Sequence, residues 1–255
     1  MEDSVRTEQQ GHLLVITIDR PEVRNAMDGP TAAAMHAAMD RIDADPGIFA
    51  AILTGAGGNF SAGADLKAAA RDGHSGAVTA RGPFGFCMRP PAKPLIAAVE
   101  GVAVGGGFEM VLACDLIVAA SDARFALPEV KRNLVALGGG LLRLPRRLPH
   151  CVAAEIALTG GMIGAEALQR WGLVNRLAAP GEALATARRL AADILANGPT
   201  ALAATIAILR QAGGGTEEAD WARARDQARP ALTAADRTEG LRAFIEKRPP
   251  RWLGC

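Results

Sequence analysis

Apolar and polar positions follow two rhythms along this chain, and the switches between them mark out the elements. Residues 12–19, His-Leu-Leu-Val-Ile-Thr-Ile-Asp, form a β-rich run with polar ends and predict a strand. A turn-rich loop carrying one exposed base, Arg24, follows. Asp28-Gly-Pro30 then opens a helix that reaches about residue 43, with proline in its first turn and alanines and methionines facing inward. Residues 48–53 read as a buried strand, and strand, helix, strand in succession argues for an α/β layout. Residues 95–99 are a further buried strand. From Phe108 to residue 120 apolar positions repeat at helical spacing, the last part, from Asp115, continuing as a strand. Short helices over 153–159 and 165–171 and a strand over 172–177 complete this half.

From Glu182 the pattern is wholly helical, over 182–196, 199–212 and 216–235 with a break at Pro230. The last helix spans 236–247, its start marked by Asp236 and Glu239 at capping-box spacing. Residues 71–86, rich in glycine and without periodicity, read as a mobile segment. Within it, Gly73-His-Ser-Gly76 has part of a nucleophile elbow but lacks its second spacer and a preceding strand, so a plain loop is expected. Residues 141–148 carry Arg143, Arg146 and Arg147 and read as a solvated face.

The stretch Gly101-Val-Ala-Val-Gly-Gly-Gly-Phe-Glu109 organises the rest. It joins the strand over 95–99 to a helix starting near Gly106. Glycines at such a join let a ligand reach bare amides, and the free N–H donors and positive dipole end of the helix point into that space. Glu109 stands about one turn further on, where its carboxylate projects beside those donors. A tight connection with an acid in its first turn needs no chemistry at all, so this motif alone leaves both readings open. The dinucleotide fingerprint, Gly-x-Gly-x-x-Gly with a distant acid, is missing. A second glycine-rich turn, residues 54–67, ends in Ser61-Ala-Gly-Ala-Asp-Leu-Lys67 and runs into a helix start.

Composition narrows the function classes. At 255 residues, 49% hydrophobic and 22% charged, the chain has the make-up of a soluble globular protein. A net charge of +1 makes no electrostatic case for nucleic acid or an anionic membrane. Scattered cysteines at 87, 114, 151 and 255 and histidines at 12, 36, 74 and 150 show no metal-ligand spacing, so no metal is expected. With no long apolar run and a polar, acidic N-terminus, a cytoplasmic location is expected. The chain contains no tyrosine, which excludes a phenol from any mechanism.

Taken together, Gly-Gly-Gly-x-Glu109, Ser-Ala-Gly-Ala-Asp-Leu-Lys67 and Phe-Ala-Leu-Pro-Glu129, twenty residues after Glu109, resemble the enoyl-CoA hydratase/isomerase (crotonase) family over nearly the whole chain. The resemblance implies a crotonase-like α/β spiral of strand-strand-helix turns, residues 1–195, followed by a helical oligomerisation region, residues 196–255. It implies an acyl-CoA thioester substrate without a separate cofactor, a homotrimer or a hexamer of paired trimers, and a place in β-oxidation of fatty acids. By position, the amides of Ala64 and Gly106 would form an oxyanion hole. Ala62, Ala64, Asp65, Leu66 and Lys67 would line the adenine and pantetheine path, Arg24 would lie near the CoA phosphates, and Ala26 belongs to the same binding set. Phe244 and Lys247 match positions that reach the CoA adenine region. Glu109 would activate a water and Glu129 deliver a proton to C2, two tasks suited to paired carboxyls.

Two acids favour hydration over isomerisation, the alternative within the same fold. Likeness in wording to carnitinyl-CoA dehydratases is a further alternative, although aromatic content of 4% leaves little for a quaternary-ammonium pocket. A non-catalytic acyl-CoA-binding protein is a third. One stretch departs from the family pattern: where Gly-x-x-Pro-Gly is usual, Asn133, Ala136 and Leu137 stand. Leu137 is expected to keep an amide for the water while its side chain fills space near the acyl group.

Overall fold

The structure, a computed structural model, describes residues 4–72, 76–211, 226, 229–230 and 233–254. Its frame is a six-stranded sheet in the order β1 (Val5–Gln10), β2 (Leu13–Ile18), β3 (Ala50–Gly55), β6 (Leu95–Val99), β8 (Leu116–Ala120) and β11 (Arg176–Ala178). Only the β1–β2 pair is antiparallel. The strands β3 and β6 are apolar on nearly every residue because helices cover both faces, as parallel strands require. On one face Met35, Met39 and Ile42 of α1 (Gly29–Ala44) join Leu14, Ile16 and Leu53. On the other, Ala183, Ala187 and Ala191 of α7 (Ala183–Leu195) join Val15, Ile52, Ile96 and Val118. The polar edge strand β1 has no apolar face to betray it; its backbone ladder to β2 alone makes it a strand.

A second sheet, β10 (Ile163–Gly164), β9 (Arg124–Ala126) and β7 (Val102–Val104), separates the central strand from the central helix. The expected direct turn from strand to helix therefore contains a strand of its own. The loop after β3 lies along it: Ser61 N–H donates to the Val102 carbonyl and Val104 N–H to the Ser61 carbonyl, both at 3.0 Å. The central helix α3 (Gly106–Ala113) is buried along its whole length and ends where Cys114 turns extended, short of the helical reach read from the apolar spacing. Its eight residues pack too closely for side chains at the head. A Cβ on Gly107 would lie 2.1 Å from the Ser61 carbonyl oxygen.

Three expectations are corrected. Residues 76–86 are packed, not mobile: β4 (Val78–Thr79) and β5 (Gly82–Pro83) pair, and Phe84, Phe86 and Cys87 are buried. Arg81, 4% exposed, holds this hairpin on α1 through Asp40 and Asp43; an aperiodic run of polar and glycine residues hides such an anchor. Residues 73–75, with most of the candidate elbow, lie outside the described residues. The face carrying Arg143 and Arg147 on α4 (Gly140–Arg147) is not simply solvated. Arg143 donates to the Cys87 carbonyl and Arg147 to that of Cys114, closing the ends of buried segments. Finally, Asp236 does not cap its helix. It lies inside α9 (Ala235–Glu246), buried, and accepts the Leu253 and Gly254 amides, while Glu239 binds Arg248 and the Arg251 amide. The tail is thereby fastened to its own chain, with the Trp252 indole donating to the Ala196 carbonyl at the end of α7. Most of the helix expected over 216–235 lies outside the described residues. The helices α5 (His150–Thr159), α6 (Ala165–Arg170) and α8 (Pro199–Gln211) follow the apolar spacing closely, and α2 (Leu66–Asp72) stands where the second glycine-rich turn runs into a helix start.

Replacing Gly107 by alanine should cost about 3 kcal/mol, because the new methyl meets backbone that cannot swing aside. Urea unfolding would show this as a lower midpoint at unchanged slope; a midpoint equal to that of the unsubstituted protein would mean that α3 does not need this approach.

Candidate active site

Pairing of β7 with β9 sets Val104 beside Ala126 and lets Gly105 N–H donate to the Ala126 carbonyl at 2.9 Å. That register carries Leu127, Pro128 and Glu129 to the head of α3. Glu129 enters a single 3-10 turn, Pro128–Arg132, and not the α-helix that a proline-acid pair suggests. Its Oε1 would stand 3.1 Å from a Cβ on Gly105, so glycine is what admits the carboxylate there. The left-handed φ of 57° at Gly105 suits the same residue.

Glu109, one turn into α3, is 2% exposed. A loop just before α4 wraps it. The Gly140 amide donates to Oε1 at 2.9 Å, and a Cβ on Gly138 would lie 2.6 Å from Oε2. Two glycines thus form a cradle that side chains would fill. Burial pushes the Glu109 carboxyl above its ordinary value, the Gly140 amide draws it back, and the charge of Glu129 raises it again. Burial likewise raises Glu129. Its Oε2 is buried and has no hydrogen-bond partner among the described residues. Such an orphaned acceptor is costly unless it is protonated or meets a bound molecule.

Two backbone amides converge beside this pair. As the first residue of α3, Gly106 has no intrahelical acceptor for its N–H. Ala64 forms a bridge with Met27 that uses the flanking Gly63 carbonyl and Asp65 amide and leaves the Ala64 N–H free of backbone acceptors among the described residues. The segments touch, since a Cβ on Gly63 would sit 2.7 Å from the Gly106 nitrogen.

The remaining predicted residues divide. Ala26 and Ala62 line the same loop, the Ala62 amide donating to the Arg24 carbonyl and the Ala26 carbonyl accepting from Arg20. Arg24, Leu66 and Lys67 are exposed at its rim. The Asp65 carboxylate is occupied structurally: it accepts the Ala68 amide at the start of α2 and pairs with Arg20, which together hold it below the usual carboxylate range. Leu137 departs from expectation. Its side chain is 80% exposed and does not fill the acyl space; Gly138, next along, is the residue against Glu109. Lys247 is exposed at the end of α9, with a left-handed φ of 51°, while the side chain of Phe244 is outside the described residues.

Sequence reasoning missed two features. The glycine cradle was visible as Gly138-Gly-Gly140 but had no stated target, because only folding sets it over Glu109. Phe84, whose ring packs on Gly106, came from a run without periodicity and carried no signal. Beside Glu129 lies a cavity of about 100 Å³ lined by Leu127, Val130, Val135, Ala136, Leu141 and Leu158.

Residues 8–254 match the enoyl-CoA hydratase/isomerase family. The chain is 42% identical over 247 residues to a mevalonyl-coenzyme A hydratase of Aspergillus fumigatus, covering 94% of this chain and 91% of that one. It is 43% identical to a carnitinyl-CoA dehydratase of Salmonella arizonae over the full length of both. Among solved structures, an enoyl-CoA hydratase from Mycobacterium marinum superposes with a TM-score of 0.96 at 52% identity, each chain covered entirely.

Because both carboxyls are raised by burial, their effect on stability has a definite sign. An acid whose pKa is higher folded than unfolded stabilises least once ionised, so stability falls as pH rises from the ordinary value through the folded one. Glu109→Gln and Glu129→Gln, which remove the ionisation, should therefore raise Tm at about pH 8, with the gain fading towards about pH 4. Calorimetry at both pH values checks it, and a Tm lowered equally at both would contradict the burial argument.

Proposed function

The chain belongs to the enoyl-CoA hydratase/isomerase family, and we propose that it acts as an enoyl-CoA hydratase, adding water across the 2,3 double bond of a 2-enoyl-CoA to give a 3-hydroxyacyl-CoA. The observation that carries this reading is the pair of acids, Glu109 buried and Glu129 half-buried with its Oε2 enclosed, at the head of a helix that offers an unspent amide. Addition of water builds negative charge on the thioester oxygen. Fixed amide donors at Ala64 and Gly106, with the positive end of α3 behind them, stabilise that charge where it develops. Glu109 takes a proton from the water that attacks C3, and Glu129 supplies one to C2; burial raises both carboxyls above their ordinary value, which favours proton exchange over permanent ionisation. The reaction moves only a proton and a hydroxyl, so it calls for no cofactor beyond the CoA of the substrate.

The exposed Arg24 and Lys67 suit CoA phosphates, and Lys247 with Phe244 is assigned to the adenine end. We assign residues 1–195 to the catalytic spiral and 196–255 to assembly as a homotrimer or paired trimers. Exposed Leu134, Val135, Leu142, Leu158 and Met162 support an assembly, since large apolar side chains left in water favour cover. Unpaired Cys87, Cys114 and Cys151 suit the cytoplasm, and hydration of a 2-enoyl-CoA is a step that fatty-acid β-oxidation requires.

A spectrophotometric screen of 2-enoyl- and 3-enoyl-CoA thioesters tests the reading. Hydration of 2-enoyl-CoA is expected, with Glu109→Gln and Glu129→Gln each lowering kcat by at least about a hundredfold at nearly unchanged CoA affinity. Near-normal turnover of a 3-enoyl-CoA by Glu109→Gln, with Glu129→Gln inactive, would replace hydration by isomerisation.

A further inference from the structure

Phe84 has a backbone φ of 56°, the left-handed region that side-chain-bearing residues rarely adopt. Several fastenings hold it there. The Phe84 amide donates to the Ala77 carbonyl at 2.7 Å, and Arg81, three residues before it, is locked by Asp40 and Asp43. Directly after it, Gly85 lies so close to α1 that a Cβ would be 2.5 Å from the Ala32 carbonyl oxygen. The ring belongs to the main buried cluster, and its tip reaches from there to the head of α3. Its Cζ is 2.2 Å from the position of a Cβ on Gly106, and its Cε2 is 2.9 Å from that on Gly138. The Gly138 position is in turn 2.6 Å from Glu109 Oε2. The ring tip therefore stands between the amide at the head of α3 and the carboxylate one turn on, 8% exposed and backed by anchored chain.

We propose that Phe84 is a specificity-determining residue whose ring forms a fixed wall beside the C2–C3 bond of the bound thioester, restricting the acyl group to small, unbranched 2-enoyl chains. The proposal rests on the hydratase reading, which sets the thioester oxygen at the Ala64 and Gly106 amides and the reacting carbons within reach of Glu109. A substrate bound between those groups passes the ring tip. The ring is packed against the head of α3 and against Gly138, and the hairpin that carries it is held on α1 by Arg81 and by the close approach of Gly85, so the whole wall is backed by anchored chain. Strain kept at a ligand-facing residue by its surroundings is the pattern expected of a site where shape matters.

Calorimetric binding of butanoyl-, 3-methylbutanoyl- and octanoyl-CoA to the full chain, Phe84→Ala and Phe84→Leu tests this. Phe84→Ala is expected to bind the branched and the long thioester at least about tenfold tighter than the unsubstituted protein, with butanoyl-CoA within about threefold, because one or two displaced carbons in a closed pocket are worth that much. Phe84→Leu should fall between, and it decides the point if the alanine variant does not fold. In turnover of the matching 2-enoyl-CoAs, the preference for octenoyl- over butenoyl-CoA should rise about tenfold, mainly through KM. Equal changes for all three ligands, or none, would overturn the proposal. Absence of hydration by the unsubstituted protein would instead sink the hydratase reading, and the binding measurements would still decide whether Phe84 limits the acyl group.

Discussion

The close approach of two backbones at the head of α3 is the constraint on which the site depends. The Ser61 carbonyl occupies the place of a side chain on Gly107, and the Gly106 nitrogen that of one on Gly63. Only glycine at these points lets the loop after β3 lie against the helix, and that contact brings the Ala64 and Gly106 amides to one place. The position of Glu109 then follows from helix geometry, and that of Glu129 from the ladder between β7 and β9. A shift of the helix by even a methyl group would move the Gly106 amide and Glu109 together, away from Ala64 and Glu129.

This arrangement carries an electrostatic burden. Two carboxyls stand in a region from which water is largely excluded, and each is raised by that burial. The Gly140 amide and the positive end of α3 act in the opposite sense, so Glu109 is held partly satisfied in its ionised form while Oε2 of Glu129 has no partner among the described residues. A site tuned for folding would carry neither acid. The large apolar sheet core, covered on both faces, supplies the stability that such a pair lowers. Rigidity comes from the same economy of space: the glycines that admit the acids also leave them little room to move.

Much of this was legible in the chain itself. The parallel strands, α1, α5, α6, α7 and α8 follow from apolar spacing, since burial on one or both faces writes itself into periodicity. Glu109, Glu129 and the two amides were read from ordered motifs as candidates, and the fold brings these four positions to the head of α3. The strand β1 was not legible, its partner being met by backbone alone. The same holds for Asp236, whose spacing to Glu239 looks like a capping box although both acids bind the tail that returns from residues 248–254.

By itself, then, the sequence determined the family, the α/β layout and the identity of the acids, all of which depend on local pattern or on residue type. Tertiary structure alone decided that Gly138 and Gly140 enclose Glu109, that Leu137 faces outward, that Arg143 and Arg147 close buried carbonyls and that Phe84 stands on Gly106. Apart from the exposure of Leu137, each of these is a contact between segments tens of residues apart. Its geometry is set by how close two backbones can come, a quantity that leaves no period along the chain.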